Sequence, residues 1–177
     1  MEGVRGSLGE ALRVHKRLIL LSKDIENLVE IARQTIEGGG KIFLFGNGGS
    51  ATDAMHIAAE CPGKPVIALS SNIASITSIG NDLNFESVFS IQLAGLCKKG
   101  DLAIGMSTSG HSANVLEAIE AAKKFGAKTV GLTGDEFKGG PLAKLADFSI
   151  VVPSKEVGRV QECHLLIGHI VTDALNE

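Results

Sequence analysis

Residues 41–50 read Lys41-Ile42-Phe43-Leu44-Phe45-Gly46-Asn47-Gly48-Gly49-Ser50. A short apolar run without alternation predicts a strand over 41–45 buried on both faces, as in a parallel sheet covered by helices. The glycine-rich turn ends that strand and opens a helix, expected over 50–61. The same unit recurs outward from here. Apolar runs at 66–69, 102–106, 129–132 and 148–152 predict four more strands. Helical periods over 73–79, 85–96 and 112–125 separate them. The last of these places Val115, Ala118, Ile119, Ala122 and Phe125 on one face, with Gly126 past its end. A final helix, 156–175, lines up Val160, Cys163, Ile167, Ile170 and Ala174. Alternating strands and helices predict a three-layer α/β/α sandwich around a five-stranded parallel sheet, with right-handed crossovers. Segments 62–65 and 135–141 read as loops.

Upstream, Leu18, Leu21, Ile25, Leu28, Ile31, Ala32 and Ile36 recur near a 3.6 period, which predicts one helix over 7–37. Gly38-Gly39-Gly40 stops it. The expected organisation is a single domain over 1–177, with a helical extension (1–38) and the sandwich (39–177). The apolar face from Leu18 to Ile36 is broad for a helix covering a sheet edge and is expected to pack against other subunits.

The chain has 177 residues, enough for one self-sufficient core. A formal net charge of -3 gives no basic surface for nucleic acid or membrane. No apolar stretch is long enough for a membrane span. No basic-then-apolar leader opens the chain, and Cys61, Cys97 and Cys163 are scattered, so a reduced, non-secreted protein is expected. Glycine makes up 22 residues, about 12%, against a usual 7% or so. These glycines gather at the ends of apolar runs, where loops approach ligands.

Two strand ends run into polar, glycine-rich turns that open helices: Gly46 to Ser50, and Ser107-Thr108-Ser109-Gly110-His111-Ser112. Beyond the carboxyl ends of parallel strands, such turns offer free N–H groups and the positive end of a helix dipole, which suit phosphate. Either loop alone also reads as an ordinary N-cap and tight turn. Two with one layout favour a phosphate or sugar site, and hydroxyls without cations suit a sugar phosphate. Gly46, Gly48 and Ala51 also fit a dinucleotide pattern, but the next strand ends in Ser70-Ser71-Asn72, with no acid to hold a ribose. No Lys-Ser/Thr follows the glycines, so the P-loop pattern is absent.

His56 and Glu60 are four apart on one expected helix, and Gln161 and His169 eight apart on another, so each pair shares a face. Imidazole and carboxylate suit zinc, although a His–Glu pair at this spacing is more often a surface contact. Gly80-Asn81-Asp82 reads most simply as a turn.

Taken together, Gly46–Ser50 with Asp53-Ala54-Met55-His56, Gly80-Asn81-Asp82, Ser107–Gly110 with Ser112-Ala113-Asn114-Val115, Leu132-Thr133-Gly134, and Arg159-Val160-Gln161-Glu162 with His164 and His169 resemble the phosphoheptose isomerases of the sugar isomerase (SIS) domain superfamily. The resemblance spans nearly the whole chain and implies a flavodoxin-like, Rossmann-like sandwich. It implies substrate contacts at Asn47, Gly48, Gly49, Ser50, Glu60, Asn81, Asp82 and Gln161, and a phosphate cradle of Ser107, Thr108, Ser109 and Ser112. It implies Zn2+ on His56, Glu60, Gln161 and His169, with Glu60 and His169 as the catalytic proton-transfer pair. It further implies a cytoplasmic homotetramer with sites at subunit interfaces, acting on a small-molecule sugar phosphate and on neither nucleic acid nor membrane. The reaction implied is conversion of sedoheptulose 7-phosphate to D-glycero-D-manno-heptose 7-phosphate through an enediol, for surface polysaccharide such as lipopolysaccharide. The alternative is a non-catalytic relative that binds sugar phosphates or a replication initiator. Three positions depart from the family pattern: the 61–65 segment is short, Lys64 stands where an arginine is expected, and Gly158 where an aspartate is expected.

Overall fold

The structure is a computed structural model that describes residues 2–177. Five strands form one sheet: β1 (Ile42–Gly46), β2 (Val66–Ala68), β3 (Leu102–Ser107), β4 (Lys128–Gly134) and β5 (Phe148–Val152). Every pairing is parallel and the order is β2-β1-β3-β4-β5. The expected sandwich and all five strands are present. β1 and β3 are buried along their whole length, which is why neither alternates in sequence. Their side chains still divide by parity. Ile42 and Leu44 join Leu102, Ile104, Leu132 and Ile150 in a core beneath α1 (Glu2–Leu18), α2 (Ser22–Glu37), α3 (Gly49–Ala59) and α8 (Val157–Asn176). Phe43 and Phe45 face the other core, with Val115, Ile119 and Leu142. That side is covered by α4 (Ile73–Asp82), α5 (Ser90–Leu96), α6 (Ala113–Lys124) and α7 (Gly140–Leu145).

The bottom of the sheet is closed by Asp101, almost fully buried. Its carboxylate accepts from the Lys41 N–H at 2.8 Å and the Lys98 N–H at 2.8 Å, and the Lys41 ammonium lies 3.6 Å away. A buried charge is tolerated only with such partners.

Three expectations about helices need correction. The helix expected over 7–37 is two helices broken by a 3-10 turn at Ile19–Leu21. The inward stripe Val14, Leu18, Leu21, Ile25, Leu28, Ala32 keeps its 3–4 spacing through the break, so periodicity does not register it. The helix expected over 85–96 begins at Ser90, because the Asn84 side chain accepts the Ser87 N–H and holds a turn before it. α7 lies partly in the loop expected over 135–141; at six residues it is too short to show a period.

The apolar face of the N-terminal helices is also placed differently. Leu18, Ile25, Leu28 and Ala32 are buried within this chain's own core. The exposed apolar residues are Val4, Leu8 and Leu12, one stripe of α1, with Ile19 and Leu20 at the break.

α3 and α8 pack side by side without a spacer. A Cβ on Gly168 would lie 2.3 Å from Ile57 Cδ1, and one on Gly49 would lie 2.5 Å from Gln161 Nε2. Ile57 is buried and cannot swing aside. Gly168→Ala therefore overpacks the seam by roughly 1–3 kcal/mol, a melting-temperature drop of about 2–12 °C. Calorimetry should show this drop shrinking in an Ile57→Ala background.

Candidate active site

Sheet order reverses between β1 and β3, which opens a crevice at the carboxyl ends of these strands. Both glycine-rich loops flank it. On the β1 side, Gly48 has φ +53°, a left-handed conformation that a side chain would strain. The turn lets the Asn47 and Gly48 carbonyls receive the Ala51 N–H, and the Gly48 carbonyl the Thr52 N–H as well. Ser50 is buried, and the Ser70 hydroxyl donates to the Gly46 carbonyl at 3.2 Å.

On the β3 side, the hydroxyls of buried Ser107 and half-buried Ser112 lie 2.9 Å apart, and the Gly110 N–H donates to Ser107 Oγ at 3.1 Å. Ser109 Oγ accepts the His111 N–H at 3.2 Å. The Thr108 carbonyl takes the Gly134 N–H at 3.0 Å from the end of β4. Ser112 occupies the N-cap of α6, yet its side chain does not cap the helix. The Ala113 and Asn114 N–H groups thus stay available to an anion among four hydroxyl-bearing side chains, while the Val115 N–H already bonds to the Ser112 carbonyl at 3.0 Å.

Asn47 and Asn114 tie the two loops together. Each amide donates to the other's oxygen at 2.8 Å, and Asn114 is 3% exposed. Sequence reasoning gave Asn114 no role. It lay inside a quoted motif, but a buried amide is visible only once its partner, 67 residues away, is placed.

α3 and α8 bring three more expected residues together. His56 Nε2 lies 3.0 Å from His169 Nε2 and 3.6 Å from Glu60 Oε1. One donor atom from each residue falls within 4.8 Å of the others. Two imidazole nitrogens this close require a shared proton or a shared cation. A tetrahedral divalent ion with ligands at 2.0–2.2 Å keeps its donors roughly 3.3 Å apart, so this set fits one. Gln161 stands beside Gly49, near the start of both helices; eight residues separate it from His169, about 12 Å of helix rise. Asn81 and Asp82 are exposed at the end of α4 and bonded to each other at 2.8 Å. No hydrogen bond among the described residues joins them to either loop.

The departures from the family pattern also have places. The Lys64 ammonium donates to Asn176 Oδ1 at 2.9 Å, and the Asn176 amide donates to the Glu60 carbonyl at 2.8 Å. Gly158 faces open space on the first turn of α8.

Two titratable groups near the site are perturbed. Burial raises the Asp53 carboxyl, a shift that nearby His56 partly offsets, and its Oδ2 is buried without a partner. His164 is fully buried with its Nδ1 unpartnered, and burial lowers its pKa to about 4 despite a 3.4 Å contact with the Thr133 carbonyl. Its position one past Cys163 on an apolar face was the available sequence signal.

The comparisons follow the geometry. A family described as the SIS domain matches residues 9–134. The phosphoheptose isomerase of Nitratiruptor is 50% identical over 155 residues, covering 83% of this chain and 82% of its own. That of Aquifex aeolicus is 39% identical, covering 100% of this chain and 96% of its own. The solved phosphoheptose isomerase of Neisseria gonorrhoeae superposes with a TM-score of 0.95 at 37% identity, covering 99% of this chain and 97% of that one. The chain belongs to the phosphoheptose isomerase family of SIS domain proteins.

His164 makes stability depend on pH. Its folded pKa lies below the ordinary 6.5, so its neutral form is favoured in the fold. The stabilisation is complete above about pH 6.5 and is lost as pH falls towards 4, by roughly 3 kcal/mol in all. His164→Gln should flatten the denaturant midpoint between pH 7 and 4.5 relative to the wild type.

Proposed function

We propose that the chain is an aldose–ketose isomerase converting sedoheptulose 7-phosphate to D-glycero-D-manno-heptose 7-phosphate. The observation that carries this reading is the meeting of His56, Glu60 and His169 on two helices that also flank the crevice. Relatives named phosphoheptose isomerase, at up to 50% identity, support the substrate class. A non-catalytic adaptor has no use for two imidazoles and a carboxylate converging beside a phosphate-type loop.

Ser107, Thr108, Ser109 and Ser112 hold the phosphate, aided by the N–H groups of α6. Asn47, Gly48, Gly49, Ser50, Asn81, Asp82 and Gln161 meet the sugar. A seven-carbon sugar phosphorylated at its far end separates its reacting C1–C2 pair from its phosphate by nearly its whole length. His56 lies seven residues into α3, about 10 Å of rise from the glycine-rich loop that meets the sugar. Glu60 takes the carbon-bound proton, which moves between C1 and C2, and His169 shuttles the oxygen proton. Zn2+, which His56, Glu60 and His169 would hold, would supply Lewis-acid polarisation of the substrate oxygens, while Gln161, beside Gly49 and about 12 Å of helix rise from His169, is left to the sugar.

The working form is a cytoplasmic homotetramer with sites at subunit interfaces, serving heptose supply for lipopolysaccharide and similar polymers. The exposed stripe Val4, Leu8, Leu12 supports assembly. Among the described residues no helix is long and apolar enough to cross a membrane. Within each subunit, 39–177 is the sandwich and 1–38 its helical extension.

Glu60→Gln keeps shape but removes the basic oxygen. Turnover should fall about 10²–10⁴-fold, and zinc content is measured in the same variant, because the substitution also removes a carboxylate from the metal set. A variant that keeps both zinc and full rate removes Glu60 from the base role. Ser109→Ala with Ser112→Ala should raise KM with little change in kcat, because phosphate contacts serve ground and transition states alike. An unchanged KM places the anion elsewhere.

A further inference from the structure

We propose that Asn114 is a positioning residue for Asn47: its buried amide fixes the one at the end of β1 in the orientation that meets the sugar. The inference rests on the isomerase reading and deepens it.

Asn114 is the second residue of α6, directly behind the serine loop. An amide is costly to bury unless its groups are paired. Asn114 is 3% exposed, and its side chain bonds to Asn47 through two 2.8 Å contacts that form a closed ring. Each amide has two N–H donors and two acceptor lone pairs. The ring uses one donor and one lone pair from each. Asn47, half-buried, therefore keeps one N–H and one lone pair on its outer edge, in the plane set by Asn114. Asn47 cannot rotate that edge away without leaving a buried partner unpaired.

The ring also crosses the crevice where the sheet order reverses, joining the first loop to the helix that carries the phosphate-type turn. It sets the spacing between the element that meets the sugar and the element that meets the anion. Ser107, Thr108, Ser109 and Ser112 have their own bonding and do not need the ring to form their turn. Losing Asn114 should therefore damage recognition of the sugar and spare recognition of the phosphate.

The test is a cycle of the wild type, Asn47→Ala, Asn114→Ala and the double variant. Its readouts are kcat/KM for sedoheptulose 7-phosphate and the inhibition constant of inorganic phosphate. Either single change should lower kcat/KM roughly 10–100-fold, the scale of one or two lost buried hydrogen bonds. The double variant should be no worse than Asn47→Ala, because Asn114 acts only through it. Inorganic phosphate should bind all four proteins equally. Multiplying losses in the double variant, or phosphate affinity that falls with Asn114→Ala, overturns the proposal. If Asn114→Ala does not fold, Asn114→Asp keeps the shape and acceptor, removes the donor, and enters the same cycle. A wild-type chain that does not convert sedoheptulose 7-phosphate overturns the isomerase reading instead. The ring is then judged in the same cycle by equilibrium affinity for that sugar phosphate against inorganic phosphate.

Discussion

The close approach of α3 and α8 is the constraint on which the site depends. Ile57 fills the place where Gly168 has no side chain, and Gln161 covers Gly49. With the helices in direct contact, residues in the same relative positions face one another along the seam. His169 is one residue past Gly168 and His56 one before Ile57, so the two imidazoles meet because the backbones do. A larger residue at either glycine would push the two helices, and with them the imidazoles of His56 and His169, apart.

A second link, from α8 to the serine loop, runs through the end of β4. His164 reaches the Thr133 carbonyl, and the next residue, Gly134, gives its N–H to Thr108. Thr133 pairs in register with Ser107. The helix that carries His169 is thus seated against the strand end that supports the phosphate-type turn. The amide ring of Asn47 and Asn114 closes the same circuit from the β1 side. The two halves of the site share one rigid frame, which preorganised catalysis requires.

The sheet was readable from sequence because burial on both faces leaves uninterrupted runs such as Ile42 to Phe45, each ending in a turn rich in glycine or serine. Helix boundaries were less readable. The 3-10 break at Ile19–Leu21 preserves the apolar phase, and the turn before Ser90 is made by one asparagine side chain. The meeting of His56 with Glu60 followed from helical spacing, but that of His56 with His169 required the packing of two helices 113 residues apart in sequence. The roles of Asn114 and His164 were hidden for the same reason. Lys64 marked a change of chemistry in the sequence, but only the fold gives it Asn176 as partner.

The all-parallel sheet also shapes how the chain must assemble. No strand has a hairpin neighbour, so each pairing waits for a crossover to be made. β1 lies between β2 and β3, and the residue just before it, Lys41, bonds to Asp101, 60 residues later. At 5–20 residues per second, a ribosome needs roughly 3–12 s to deliver that partner. Through this interval Phe43 and Phe45 belong to an apolar strand with one open edge, the kind of segment that pairs with other chains. Lys41 stands at its entrance, a charge that discourages such pairing before the buried carboxylate arrives to claim it. The residue that partners Asp101 at the bottom of the finished sheet is thereby also a guard on the nascent one.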